Sequence, residues 1–82
     1  MNEPTEIRLK RLKMRSWRRG TKEMDLILGP FSDNRLAALP NDLVPVYEAL
    51  LEENDQDLYQ WFSGQTAAPE PYLRLIRHIM PA

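Results

Sequence analysis

Apolar residues in the middle of the chain recur at positions i, i+3, i+4, i+7 and i+8, the spacing of one face of an α-helix. They are Leu43, Val46, Tyr47, Leu50 and Leu51. Residues 24–31 and 72–80 repeat this spacing, and no segment alternates apolar and polar residues for long enough to form a strand. The sequence therefore predicts an all-α fold, a compact bundle of four or five short helices.

Chain length limits how many domains can form. The 82 residues suffice for one small domain, and hydrophobic and charged fractions of 43% and 28% are typical of a folded protein. We expect a single helical domain over residues 1–82, with a basic N-terminal helix at residues 5–19 and a core bundle at residues 21–80. The chain has no cysteine, so this core must hold the fold without disulfides.

Capping and helix-breaking residues predict where the first two helices begin and end. Thr5 is expected to cap the first helix, Gly20 to end it in a left-handed conformation, and Thr21 to cap the second helix. We expect a kink or an end at Pro30, because its missing N–H and its ring would cost about 3 kcal/mol in a straight helix.

Similar signals divide the rest of the chain. A short helix is expected at residues 33–39. Asp42 is expected to cap the third long helix and Asp55 the next, with Gly64 just past the end of the latter. A loop at residues 64–70 then leads to a last helix that ends at Pro81.

Basic residues are concentrated at the N-terminal end. Residues 1–22 contain eight Lys and Arg against two Glu, a net charge of +6, whereas the remainder contains three Arg against ten carboxylates, a net charge of −7. A basic arm attracts nucleic acid, an acidic protein surface or anionic lipid, and the sign of its charge does not separate these partners. The alternative is a solvated helix face paired with the acidic half.

Two absences bear on location. No apolar run approaches the roughly 20 residues needed to span a bilayer. The N-terminal segment carries Glu3 and Glu6 and no hydrophobic run of the secretory type, and acidic residues are rare in mitochondrial transit peptides. The sequence therefore predicts a cytoplasmic protein.

Residues suited to catalysis or metal binding are scarce. His78 is the single histidine and lies beside the core-like Ile76 and Ile79, with no second histidine or cysteine to complete a metal site. No glycine-rich phosphate loop is present, and no serine has an obvious base. We therefore expect no metal, no catalytic residues and no enzyme activity.

One polar cluster needs an explanation. Residues 17–25 change from basic to acidic across Gly20, at the expected joint between the first two helices. Trp17 is a candidate exposed anchor, because Trp and Arg are enriched where interfaces concentrate their binding energy. The alternative explanation is a surface ion pair between Arg19 and Glu23, worth about 0–1 kcal/mol.

Two sequence blocks resemble a known family. Residues 19–25 fit the pattern Arg-Gly-x-x-Glu-x-Asp and continue as Leu-Ile-Leu-Gly-Pro-Phe. Residues 47–62 contain Leu-Leu-Glu, an aspartate and then Asp-Leu-Tyr-x-Trp. In this order and at this distance the blocks resemble the signature of the succinate dehydrogenase flavinylation factors, which are small assembly proteins. The resemblance covers residues 11–79.

The resemblance implies a non-catalytic helical factor that binds the flavoprotein subunit of succinate dehydrogenase and promotes covalent attachment of FAD to a histidine of that subunit. It implies no stably bound cofactor, because FAD belongs to the partner, and it leaves open whether fumarate reductase is also served. We expect a monomer that binds neither nucleic acid nor membrane. The partner-binding residues implied by the resemblance are Arg19, Gly20, Glu23 and Asp25, with Arg18 and Trp17 adjacent.

A small helical regulator or antitoxin is the alternative function. Such a protein would use the basic first helix on nucleic acid or on a toxin surface. Binding to nucleic acid would weaken steeply as salt rises, whereas flavoprotein binding would depend on the glycine and glutamate of the joint.

Overall fold

The structure is a computed structural model that describes residues 4–80. Within these residues it contains five α-helices and no strand, which confirms the predicted all-α class. The chain divides into two units, Met1–Ala38 and Leu39–Ala82. Glu3 and Pro81, which entered the charge, location and helix-end predictions, lie outside the described residues.

The first unit contains two α-helices and a short 3₁₀ turn. Helix α1 spans Thr5–Ser16, α2 spans Lys22–Asn34, and the turn spans Leu36–Ala38, which is shorter than the helix predicted at residues 33–39. Helix α1 packs against α2, and both contact the turn. All three elements contribute buried apolar side chains to the core of this unit: Leu12, Met24, Leu28, Phe31 and Leu36.

Helix α1 ends at Ser16, so the predicted end at residue 19 is wrong. Beyond Ser16 the backbone N–H of Arg19 donates to the Asp25 carboxylate at 2.8 Å instead of to a helical carbonyl. The predicted cap is also wrong, because Thr5 is the first helical residue and Pro4, the N-cap, provides no side-chain hydrogen bond. The joint between the first two helices thus begins after Ser16, three residues earlier than predicted.

The joint between α1 and α2 is closed by side chains and not by a left-handed glycine. Thr21 caps α2 as predicted, and its Oγ accepts a hydrogen bond from the Met24 N–H at 3.4 Å. Gly20 does not adopt the predicted left-handed conformation, since within residues 4–80 the only positive φ is at Gly64. Thr21 itself is extended, with φ −127° and ψ 150°. The chain therefore crosses from α1 to α2 without a glycine-specific turn at Gly20.

Helix α2 continues through Pro30 to Asn34, so of the two predicted outcomes at the proline, a kink or an end, the end is wrong. Leu28 and Phe31, on either side of the proline, are both buried in the core of this unit. Packing of these two side chains favours a continuous helix and offsets the local cost of the missing N–H. Pro30 itself lies exposed.

The second unit contains a 3₁₀ turn and three α-helices. The turn spans Asn41–Leu43, α3 spans Val44–Leu50, α4 spans Asp55–Ser63, and α5 spans Glu70–Ile79. Helix α3 contacts the turn and α5. Among residues 39–80 of this unit, nine apolar side chains are buried: Leu39, Leu43, Tyr47, Leu50, Leu51, Leu58, Phe62, Leu75 and Ile79. None of the helices described in either unit is both long enough and apolar enough to cross a bilayer.

Two caps of the second unit differ from the prediction. Asp42 does not cap α3, because it lies inside the preceding 3₁₀ turn and the N-cap of α3 is Leu43. Its carboxylate accepts a hydrogen bond from the Arg74 guanidinium, which also lowers the pKa of Asp42. Helix α4 is capped by Asn54, whose Oδ1 accepts a hydrogen bond from the Asp57 N–H at 2.9 Å. The predicted cap, Asp55, is instead the first helical residue. The end of α4 agrees with the prediction, because Gly64 adopts the left-handed conformation with φ 83°.

Candidate functional site

The predicted partner-binding residues lie together at the joint of residues 17–25 and in the first turn of α2. Three of them, Arg18, Gly20 and Glu23, are exposed, whereas Arg19 and Asp25 are half-buried. Trp17 directly follows α1 as its C-cap and is 42% exposed. The joint therefore has a half-buried part that shapes the turn and an exposed part that a partner can reach.

Asp25 belongs to the part that shapes the turn. Its Oδ1 accepts the hydrogen bond from the Arg19 N–H at 2.8 Å, and its own N–H donates to the Thr21 carbonyl at 3.2 Å. A carboxylate in the first turn of a helix is also stabilised by the positive end of the helix dipole. This charge-assisted bond ties the end of the joint to the start of α2.

Glu23, Gly20 and Arg18 form the exposed part. Glu23 lies in the first turn of α2, where its carboxylate is accessible to hydrogen-bond donors of another molecule. Gly20 has no Cβ, so its exposed backbone permits close approach. Arg18 offers a planar guanidinium that matches a carboxylate. These residues place donors and acceptors of both charges within six positions of the chain.

An open pocket of about 320 Å³ lies beside the joint on α1. It is lined by Arg11, Met14, Arg15, Arg18 and Arg19. Four of these five lining residues are arginines, and a basic surface of this kind favours an anionic group. The excess of basic residues that the sequence places at this end of the chain thus has a defined location next to the predicted site.

Trp17 is held in place by two residues that the sequence analysis did not select. Its indole Nε1–H donates to both carboxylate oxygens of Asp33, each at 3.2 Å. Its ring lies against Gly29, which is buried within α2. Lys13 forms an ion pair with Asp33, with Nζ 3.7 Å from Oδ1. The available sequence signal was a glycine inside a predicted helix, four residues before an aspartate on the same face. Nothing in that local pattern indicated that these two residues contact Trp17.

The chemical groups that the joint exposes are those of a binding surface. Within residues 4–80 no group of three or more His, Cys, Asp or Glu side chains converges on a possible metal position. His78, in the last turn of α5, is half-buried. The joint offers charges, hydrogen-bond donors and acceptors, and a half-exposed indole, which are the components of a protein interface.

Comparison with known proteins identifies the family. A family model described as flavinator of succinate dehydrogenase matches residues 10–81. The chain belongs to this family. The match confirms the resemblance drawn from the two sequence blocks, and it includes the whole joint and the Arg-lined pocket.

Curated relatives carry the name of an assembly factor. The protein from Schizosaccharomyces pombe named succinate dehydrogenase assembly factor 2, mitochondrial, is 39% identical over 70 residues, which cover 85% of this chain and 50% of the relative. The protein of the same name from Drosophila grimshawi is 36% identical over 73 residues, covering 87% and 50%. That from Schizosaccharomyces japonicus is 35% identical over 79 residues, covering 94% and 55%. The chain thus spans about half the length of the curated relatives it matches.

The names of the relatives correct one prediction and support another. All three are named as mitochondrial proteins, which contradicts the predicted cytoplasmic location and points to the mitochondrion. The absence of transit-peptide features in these 82 residues was a poor guide, because it says nothing about the parts of the relatives that the match leaves uncovered. The family is one of assembly factors and not of catalytic enzymes, as the sequence predicted.

Proposed function

We propose that this chain acts in the assembly of succinate dehydrogenase by binding its flavoprotein subunit and promoting covalent attachment of FAD to a histidine of that subunit. The flavin and the acceptor histidine both belong to the partner, and this chain holds no cofactor of its own. Family membership supports the assembly role, and the description of the family supports the link to flavin attachment.

The observation that carries the proposal is that some residues of the joint fix its backbone while others are exposed to a partner. The bond from the Arg19 N–H to the Asp25 carboxylate, at 2.8 Å, constrains the backbone between α1 and α2. Gly20 and Glu23 are exposed and lie in the chain between the two bonded residues, so the bond restricts the backbone that presents them. A preformed surface loses less conformational entropy on binding, so more of the contact energy is available for affinity.

Binding of this kind promotes a reaction in the partner through conformational selection. A protein that binds one conformation of the flavoprotein more tightly raises the population of that conformation. If FAD and the acceptor histidine are aligned in that conformation, their reaction gains from proximity without any catalytic group of the assembly factor. In this mechanism Glu23 accepts hydrogen bonds from the partner, Gly20 allows close backbone approach, and the Arg19 guanidinium donates to partner oxygens.

Coexpression with the flavoprotein subunit tests the proposal. Covalent flavin is measured by fluorescence of the flavoprotein band in a denaturing gel. Glu23→Ala removes one charge-assisted contact, worth about 1.5–3 kcal/mol, so we expect affinity to fall by about 10- to 100-fold and covalent flavin to fall with it. Gly20→Arg is expected to abolish flavin attachment, because the long side chain blocks close approach of the backbone.

Matched controls separate loss of the surface from loss of the fold. Glu70 is an exposed glutamate in the first turn of α5, as Glu23 is in α2, so Glu70→Ala has the same helix-dipole cost and is expected to keep full activity. Ala67 lies exposed in the loop before α5, so Ala67→Arg is the control for Gly20→Arg. Undiminished flavin attachment with both joint variants would refute the proposal.

A further inference from the structure

The Trp17 indole lies directly on the backbone of α2 at Gly29. A Cβ atom at position 29 would lie 2.5 Å from Cδ2 and Cε2 of the indole and 2.6 Å from Cε3. Carbon atoms in contact are separated by about 3.5–4.0 Å, so no side chain larger than hydrogen fits between the ring and the helix. Glycine inside a helix is less favourable than alanine, and here it makes room for the ring.

The edge of the same indole is restrained by Asp33. Asp33 follows Gly29 by four residues, so both lie on one face of α2. Both Asp33 oxygens accept from Nε1–H at 3.2 Å, and the ion pair with Lys13 links Asp33 to α1. Position and orientation of the ring are therefore set by a contact with its face and by hydrogen bonds at its edge.

A tryptophan packed in this way would be expected to be buried if it served only the core. Trp17 instead remains 42% exposed, and Met14, three residues earlier, is 50% exposed. Met14 also lines the basic pocket, so exposed apolar surface occurs both in that pocket and at the start of the joint. A large apolar ring with a fixed orientation binds at a low entropic cost, which is why tryptophan is frequent among the residues that dominate interfaces.

We propose that Trp17 is a preorganised contact for an apolar patch of the flavoprotein and that Gly29 and Asp33 are positioning residues that act through it. This inference rests on the proposed function, since it names the surface through which the same partner is bound. It extends the predicted site to two residues of α2 that lie outside the motif of residues 19–25.

A double-mutant cycle on flavoprotein binding tests the roles of Trp17 and Gly29. Trp17→Ala is expected to weaken binding of the purified flavoprotein subunit by about tenfold or more. Gly29→Ala is expected to weaken it to a similar extent by displacing the ring. The double variant should bind no more weakly than Trp17→Ala alone, because the three atoms closest to a Cβ at position 29 all belong to the indole. Asp33→Ala should have a smaller effect, because the contact with Gly29 remains.

Fluorescence supplies a readout that a purely structural role of Gly29 would not match. A Trp61→Phe background keeps an aromatic ring beside Tyr72 and leaves Trp17 as the single tryptophan, so excitation at a wavelength that tyrosine does not absorb reports on Trp17 alone. Gly29→Ala should shift this emission to the red and increase its quenching by acrylamide, while circular dichroism keeps the helical signal. The double variant is the folding control for Gly29→Ala. Alanine favours a helix more than glycine does, so without the ring the substitution at position 29 should leave α2 folded.

Each outcome decides a separate point. Unchanged binding by Trp17→Ala overturns the contact, and unchanged emission of Gly29→Ala overturns the positioning role. A double variant that binds more weakly than Trp17→Ala shows that Gly29 acts independently of the ring, which also overturns it. If the unmodified protein fails to bind the flavoprotein, both the proposed function and the proposed role of Trp17 are overturned. If that protein binds and Gly20→Arg does not, the proposed function stands whatever Trp17→Ala shows.

Discussion

Removal of the Asp25 carboxylate is expected to loosen the joint on which the proposed function depends. The bond from the Arg19 N–H to Asp25 Oδ1, at 2.8 Å, is partly buried and involves a charged acceptor. Bonds of this kind contribute about 1.5–3 kcal/mol to stability. The position of Asp25 in the first turn of α2 adds about 0.3–1 kcal/mol from the helix dipole. We therefore expect Asp25→Ala to lower the free energy of unfolding by about 2–4 kcal/mol.

Two further variants separate these contributions. Glu23→Ala loses a carboxylate from the same helical turn but no bond to the joint, so it is expected to cost only about 0.3–1 kcal/mol. Asp25→Asn keeps an oxygen acceptor and loses the charge, so its cost should lie between those of the two alanine variants. Urea unfolding measures all three, with a lower midpoint at an unchanged slope as the expected signature. A cost of Asp25→Ala no greater than that of Glu23→Ala would refute the role of the hydrogen bond.

Three further predictions concern the second unit. Gly64→Ala should destabilise by about 1–2 kcal/mol, since a Cβ is strained at φ 83° even in open space; an unchanged thermal midpoint would contradict this. Asn54→Ala should cost about 1 kcal/mol by removing the cap of α4, and Asn54→Asp, which keeps an acceptor, should cost much less in the same thermal assay. Burial, with the hydrogen bond and charge of Glu53, raises the pKa of Tyr72 from 10.0 to about 12. The unfolded chain therefore loses this proton at a lower pH than the folded protein does, and the free energy of unfolding falls between pH 10 and 12. In urea titrations the Tyr72→Phe variant should lose less stability over that range. An equal loss of stability in the variant and the unmodified protein would contradict the assignment.

Helical elements were predictable because their signals lie within one or two turns. The apolar spacing that includes Leu43, Tyr47 and Leu50 placed the core face of α3 and of the 3₁₀ turn before it, and all three side chains are buried. Thr21 and Gly64 were assigned correctly because their roles depend on the neighbouring backbone alone.

Two cap predictions failed because the residue at which a helix begins depends on the path of the chain and because tertiary contacts offer a capping side chain other partners. The Asp42 carboxylate pairs with Arg74, which lies 32 positions away in the chain. At α4 a competing cap is adjacent, since Asn54 and Asp55 are both good caps and only the three-dimensional path of the chain selects between them. Pro30 failed as a helix end for a related reason, because burial of Leu28 and Phe31 outweighs a local preference.

The sequence alone determined that the chain is helical, that its family is that of the succinate dehydrogenase flavinators, and that residues 17–25 form the candidate site. These conclusions depend on side-chain spacing and on a short motif, both of which can be read along the chain. Only the tertiary structure decided that Asp25 braces the backbone of Arg19 while Glu23 stays exposed. It also decided the place of Trp17, because the hydrogen bond to Asp33 spans 16 positions and requires α1 and α2 to pack side by side.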